Sequence, residues 1–303
     1  MTSQIPEFLI EMLNKQYGND IANRIMEGYS ADRVVTLRVN TLKSNADSVK
    51  QILTENNIKF QTVSWSEEAL ILENVTEADI RKMEIYENGE IYLQSLSSMI
   101  PAIVLEPKEA ENILDMAAAP GGKTTQMAAI SNGKALITAC EKNKIRAERL
   151  KYNIQKQGAS RVNVLVEDAR KLNEYFSFDK VLLDAPCSGS GTISTTDSNL
   201  DKIFTKELVE RSVKAQQDLL KKAIKILKPG QEMVYSTCSV LKEENEENIR
   251  KLLDKGNIEI VPINKKKFET LPLLPVTIDG TICIAPNELY EGFFVAKIRK
   301  VAN

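Results

Sequence analysis

Beyond residue 95 the chain is built from short apolar runs, each followed by a polar loop and a helical stretch. NILDMA (112–117), ALITAC (135–140), VNVLVE (162–167), KVLLDAP (180–186) and EMVYST (232–237) read as buried strands. Helical patterns occupy 95–105, the stretch after the first strand, 142–157 and 205–228, the last stopped at Lys228-Pro229-Gly230. A Glu-rich helix follows from about 242, and TICIAP and GFFVAKIRK close the chain as two strand-like runs. Strands alternating with helices predict an α/β fold with a mostly parallel, doubly wound, Rossmann-like sheet. The polar, glycine-bearing stretch 188–204 reads as a long, mobile loop.

The first third has another rhythm. Residues 6–29 carry apolar positions at helical spacing, with Gly18 separating two helices. VVTLRVN (34–40) reads as a strand, 46–56 as a helix, 59–64 and 69–73 as short strands, and 77–83 as a helix. The pattern predicts a smaller α+β domain over 1–92 and a catalytic domain over 93–303. Two domains also suit 303 residues.

The chain contains no histidine. That excludes Ser-His-Asp and Cys-His triads, His-based zinc sites and haem-His ligation. Acid–base chemistry must use Asp, Glu, Lys, Tyr, Cys or water. Forty Lys/Arg against 42 Asp/Glu give no bulk basic footprint, though a local patch suffices for nucleic acid. Residues 1–95 are acidic, with nine Lys/Arg against fifteen Asp/Glu. No signal peptide and no membrane span are expected. The four cysteines form no CxxC pair, so neither a metal site nor a disulfide framework is expected. Free thiols in a reducing cytoplasm are the reading.

After the first core strand comes Asp115-Met-Ala-Ala-Ala-Pro-Gly-Gly-Lys-Thr-Thr. Gly121-Gly122-Lys123-Thr124 resembles the tail of a phosphate loop, but Ala117 stands where that motif needs glycine. Ala118, Ala119 and Pro120 add bulk and remove an amide donor, so the NTPase reading is weak. The alternative is a cofactor loop, with Glu141 placed for ribose hydroxyls, Asp168 for an adenine amino group and Asp184 at the fourth strand end. Each acid alone fits a helix cap or a solvated strand end. Three in register with the strand ends suit a nucleoside cofactor with a positive centre, S-adenosylmethionine.

Asp184-Ala-Pro-Cys187 ends the fourth core strand and Tyr235-Ser-Thr-Cys238 the fifth. Ligands bind at this edge of such a sheet. One thiol lies beside an acid; the other precedes a helix start, which would favour its thiolate. Methylation of an unactivated pyrimidine carbon needs a thiolate: addition at carbon 6 of cytosine makes carbon 5 nucleophilic, and a second group removes the carbon 5 proton. Cys140 and Cys283 lack such surroundings and read as structural.

DMAAAPGGKTT, LLDAPCSGSGT and YSTCSVLKEENEEN resemble, in order and spacing, the motifs of the Sun/Nop-type RNA cytosine-5 methyltransferases. LRVNTLK, YLQSLSSM and EGFFVAKIRK extend the resemblance from about residue 6 to 300. It implies a methyltransferase sheet, with Cys238 as nucleophile and Cys187 assisting release. It implies S-adenosylmethionine contacts from loop 117–123 (Ala117, Ala118, Ala119, Pro120, Gly121, Gly122, Lys123) and from Glu141, Asp168 and Asp184. Asp184 and Lys123 also orient the flipped cytosine. Arg38 and Asn40 take a structural or RNA-facing role and stand as candidate RNA contacts. Ala117 departs from the family's usual Cys, a small residue for a small one. From its length the chain is expected to lack a large N-terminal extension and an added C-terminal RNA-binding module. The basic residues Lys142, Lys144, Arg146, Arg149 and Lys151 read as a solvated helix face.

The sequence thus predicts methyl transfer from S-adenosylmethionine to carbon 5 of cytosine in structured RNA, with rRNA placed ahead of tRNA and base flipping expected. A tRNA methylase and a catalytically silent assembly factor are the rivals. Both cysteines, Asp184 and Lys123 argue against the latter. A DNA methylase fits less well, since that class resembles a PCQ nucleophile.

Overall fold

The computed structural model describes residues 5–197 and 199–302. Two helices lead, α1 (Glu7–Tyr17) and α2 (Asn19–Tyr29), and Gly18 breaks them apart with a φ of 78°. Then come β1 (Val35–Val39), α3 (Ala46–Glu55), β2 (Phe60–Val63), β3 (Ser66–Leu72), α4 (Glu77–Ile80), α5 (Glu84–Glu87) and β4 (Ile91–Leu93). The four strands form an antiparallel sheet in the order β2-β3-β1-β4. Local capping sets its helices: the Asn45 side chain accepts from the Ser48 amide to start α3, and Thr76 with Asp79 forms a capping box at α4. Leu37, Val49, Leu53, Leu70 and Ile80 fill its core. β4 was not foreseen, because three residues are too few to show an alternation.

The larger body runs α6 (Leu96–Leu105), β5 (Asn112–Asp115), α7 (Gly122–Ile130), β6 (Leu136–Cys140), α8 (Lys144–Gln157), β7 (Val162–Leu165), β8 (Phe178–Asp184), α9 (Leu200–Ile203), α10 (Lys206–Ile226), β9 (Leu227–Thr237), α11 (Glu246–Leu253), β10 (Ile258–Val261), β11 (Leu273–Leu274), β12 (Ile282–Ile284) and β13 (Phe293–Lys300). Its nine strands lie in the order β11-β12-β13-β9-β8-β5-β6-β7, with β10 also on β13. Strands β5 to β9 are parallel and the remainder are antiparallel. This is the Rossmann-like α/β sheet the pattern predicted, with an antiparallel extension.

Three local expectations change. Lys228-Pro229-Gly230 lies in the first residues of β9, and an irregularity in the pairing with β8 accommodates the proline. The Glu-rich helix begins at Glu246, after a turn. Within 188–204, α9 forms and the Thr195 amide bonds to the Tyr29 carbonyl, so the stretch is anchored at α2.

The division drawn at 92/93 passes through β4. The leading helices also belong to the larger body: Leu9, Leu13, Ile25 and Tyr29 bury in one apolar cluster with Leu114, Leu183, Tyr235 and Phe294. Among the described residues no helix is long and apolar enough to cross a membrane.

Candidate active site

The strand order reverses between β5 and β8: from β5 the chain moves outward to β6 and β7, then returns to β8 on the other side. The loops leaving these two strands diverge and open a crevice at the carboxyl edge. Asp115 ends β5 and Asp184 ends β8. The loop after Asp115 is made of small residues, and Gly121 turns the chain into α7 with a φ of 113°. Ala117 to Pro120, Gly122 and Lys123 line a cavity of about 500 Å³, together with Asp115 and Asp184.

Asp115 is 1% exposed. Thr124 Oγ1 donates to its Oδ2 at 2.7 Å, while its Oδ1 has no partner. Burial pushes this carboxyl up to about 6, against the bond from Thr124. Lys123, in the first turn of α7, pairs with Asp184 Oδ2 at 2.8 Å and donates to Ser98 Oγ at 2.6 Å. Ser236, at the neighbouring position on β9, donates to Asp184 Oδ1 at 2.8 Å. Burial works against the Lys123 ammonium, but Asp184, Cys238 and Asp115 outweigh it and hold its pKa above the usual lysine value.

Cys187 and Cys238 follow adjacent parallel strands, and their Sγ atoms are 2.9 Å apart. The Cys187 loop is fastened on both sides. The Gly191 amide bonds to the Cys238 carbonyl at 3.0 Å, and the Gly191 carbonyl accepts from Gly292 at 2.7 Å. A Cβ on Gly191 would meet the Gly292 oxygen at 1.9 Å, so only glycine permits this approach. Ser188 donates through its amide and its hydroxyl to the Glu244 carboxylate at 2.8 and 2.6 Å. The contact with Cys238, burial and the nearby Glu244 charge push the Cys187 thiol well above its ordinary value. The expected helix start beside Cys238 is not there, since α11 begins at Glu246. The Cys238 sulfur lies near enough to the Lys123 ammonium to help it keep its proton. The turn after Cys238 is held by α1: Gln16 Nε2 and Tyr17 Oη both donate to the Val240 carbonyl, at 2.9 and 2.7 Å. Cys140 and Cys283 are buried, and desolvation raises both thiols, Cys140 to about 12.

Glu141 is buried at the end of β6, where its Oε1 accepts from the Asn143 amide at 2.8 Å. Arg146 stands 3.6 Å from its Oε2 and also donates to the Ala119 carbonyl at 2.7 Å, tying the acid to the loop. Asp168 is more engaged. It caps a short 3-10 turn through the Arg170 amide, and both its oxygens bond the Arg170 guanidinium. Neither acid lines the cavity beside Asp115.

Arg38 and Asn40 are not placed as RNA contacts. Arg38 is 3% exposed and spends its donors on Gln94 Oε1 (3.0 Å) and Thr125 Oγ1 (3.1 Å). Asn40 Nδ2 donates to the carbonyls of Gly89 and Gln157, at 2.7 and 2.8 Å. Both bolt the small sheet to α7 and α8, which is the structural role. Lys142, just before α8, and Lys144 and Lys151 on it are exposed, as a solvated face requires, but Arg149 and Lys156 line the cavity. Asp115, Ser98 and Glu244 escaped the sequence reading. Asp115 ends a core strand as Asp184 does and was open to the same argument. Nothing in KEENEEN marks Glu244 as the inward acid.

Residues 102–299 match the family 16S rRNA methyltransferase RsmB/F, and residues 5–79 match the ferredoxin-like domain of RsmF/B-like methyltransferases. The chain belongs to the RsmB/F family. This is the family to which the motif resemblance pointed. The RsmB/F chain is 33% identical over 312 residues to ribosomal RNA small subunit methyltransferase F of Shewanella amazonensis, covering 96% of this chain and 65% of that one. It therefore spans about 65% of the length of that curated relative. A methyltransferase homologue from Pyrococcus horikoshii superposes with a TM-score of 0.85 at 32% identity, over 98% of this chain and 95% of that one. NSun6 from the same organism, crystallised with SFG, superposes at 0.86 with 25% identity, over 99% of both chains.

Proposed function

We propose that this chain transfers a methyl group from S-adenosylmethionine to carbon 5 of a cytosine in 16S rRNA. The observation that carries the reading is the pair of thiols 2.9 Å apart beside the Lys123–Asp184 ion pair. Membership of the RsmB/F family and the small-subunit rRNA methyltransferase relatives support the substrate class.

The residues present fit the cofactor. Small side chains line the loop, and a buried acid, Asp115, keeps one oxygen without a partner. Ala117 to Gly122 and Asp184 would hold it at the cavity, and Glu141 and Asp168, at the next two strand ends outside that cavity, are the proposed ribose and adenine contacts. When bound, it supplies an electrophilic methyl group. The chain's own residues do the rest. Cys238, its proton given to solvent, adds as a thiolate to carbon 6 of the flipped cytosine and moves an electron pair to carbon 5. Asp184 and Lys123 orient the base. Cys187, its own proton given to solvent beforehand, takes the carbon 5 proton as a thiolate once that carbon is methylated and returns to the neutral thiol its surroundings favour. The carbon 5–carbon 6 double bond re-forms and the Cys238 sulfur leaves.

The test is transfer of labelled methyl to 16S rRNA, with the site read by bisulfite sequencing. Label at carbon 5 of a 16S cytosine is the expected result. Label in tRNA alone overturns the substrate, and no transfer to any RNA overturns the activity.

A further inference from the structure

The cavity extends well beyond the reacting groups. One end holds Lys123 and Asp184; the other lies between the small sheet and α8, lined by Arg81, Tyr86, Tyr92, Arg149, Lys156 and Gln157. Among the described residues no acid lines that second end. Its cations are set in place. The Lys156 ammonium sits 3.8 Å from the centre of the Tyr86 ring, and the Arg81 guanidinium lies 5.4 Å from the same ring. Among the described residues their acid partners are exposed: Glu77 is 2.7 Å from Arg81, and Glu87 is 3.8 Å from Lys156. Such surface pairs are weak competitors for a phosphate. Arg149 is exposed and makes no ion pair among the described residues.

The floor is rigid and polar. Asn153 Nδ2 donates to the Pro120 carbonyl at 2.8 Å, joining α8 to the loop at the reacting end. A Cβ on Gly89 would meet the Lys156 carbonyl at 2.1 Å, so the turn before β4 is pressed onto α8. The side-chain oxygen of Gln157, buried at this end, has no partner. A cleft lined by three cations suits an anion, and the orphan Gln157 oxygen beside them, an acceptor, suits a donor next to that anion, such as a ribose hydroxyl.

We infer that this end is a subsite for the RNA backbone flanking the target cytosine. Arg81, Arg149 and Lys156 take a phosphate one or more nucleotides from the flipped base. The inference rests on the RNA methyltransferase reading, because the strand whose cytosine enters between Lys123 and the thiols must continue along the same cavity. The segment α4–α5 beside the small sheet then contributes to RNA binding through Arg81 and Tyr86, and not through Arg38 or Asn40.

The experiment measures 16S rRNA transcript binding by filter retention at several salt concentrations, for wild type, Arg149→Glu and Lys156→Met. S-adenosylhomocysteine binding is measured in parallel by calorimetry. Each variant is expected to bind RNA about tenfold more weakly. The slope of log affinity against log salt should fall by roughly 0.7 for each lost phosphate contact. Cofactor affinity should stay at the wild-type value. Unchanged RNA affinity and slope overturn the subsite. So does a loss of S-adenosylhomocysteine binding with RNA binding intact, which would give this end to the cofactor. Should Lys156→Met not fold, Arg149→Glu, at an exposed position, decides the matter. A wild type that neither binds nor methylates the RNA overturns the functional reading itself, and the subsite with it.

Discussion

The sulfur atoms of Cys187 and Cys238 meet at 2.9 Å although 51 positions separate them in the chain. Two features bring them together. Adjacent parallel strands carry each to the same sheet edge, and the Gly191–Gly292 contact pulls the loop after Cys187 back over β9 and β13. The pair then faces the Lys123 ammonium, the one cation in the first turn of α7.

Gly191→Ala tests the clamp. The added methyl group meets a backbone oxygen, so the chain must move and carry Cys187 with it. A displacement near 1 Å at a reacting group costs on the order of a hundredfold in rate. The expected result is a folded protein with normal S-adenosylhomocysteine affinity and a kcat lowered by that order. Wild-type turnover would mean that the loop tolerates the shift.

Calorimetry on two acids separates their roles in cofactor binding. Glu141→Ala should lose about 2–4 kcal/mol of S-adenosylhomocysteine affinity, the cost of a buried charged acceptor. Asp168→Ala should lose less, because Arg170 already holds both oxygens of that carboxylate. Equal losses would contradict the ranking.

Asp115 gives stability a defined pH dependence. Burial raises its carboxyl from 3.8 unfolded to about 6 folded. The unfolded chain therefore releases this proton first, and stability falls as pH rises between those values. Above about 6 the full penalty stands, roughly 2–3 kcal/mol. Asp115→Asn should unfold at a higher temperature than wild type at pH 7.5 and match it below pH 4. A variant less stable than wild type at pH 7.5 would show that the carboxylate is stabilised by contacts beyond Thr124.

Helix α1 reaches the turn after Cys238 through Gln16 and Tyr17. Gln16→Ala removes one donor to Val240 and the acceptor for the Lys242 amide. It should cost about 1–3 kcal/mol by denaturant unfolding and lower kcat without changing cofactor affinity. Unchanged kcat would make α1 a packing element alone.

The sequence carried the parallel core openly, because its strands are apolar runs separated by helices of ordinary length. The same register put Glu141, Asp184 and both thiols at one sheet edge, which made most of the site legible. What stayed hidden was set by tertiary contact. Arg38 sits in a strand like many exposed arginines, and only the packing of β1 on α7 shows that its donors are used inside. Glu244 is one of several glutamates in a row, and its selection depends on which way a turn faces. Arg149 and Lys156 belong to a helix whose other cations are solvated; the small sheet beside them is what makes a cleft. The helix expected at Cys238 failed because a four-residue turn intervenes before α11.

Trapping of the covalent intermediate tests the division of labour between the thiols most directly. Cys187→Ala, incubated with 16S rRNA and S-adenosylmethionine, should attack and methylate but release slowly. A denaturant-resistant protein–RNA band is expected, absent from Cys238→Ala and from the double variant. A band that survives in Cys238→Ala, or full turnover by that variant, would contradict the assignment of Cys238 as the nucleophile.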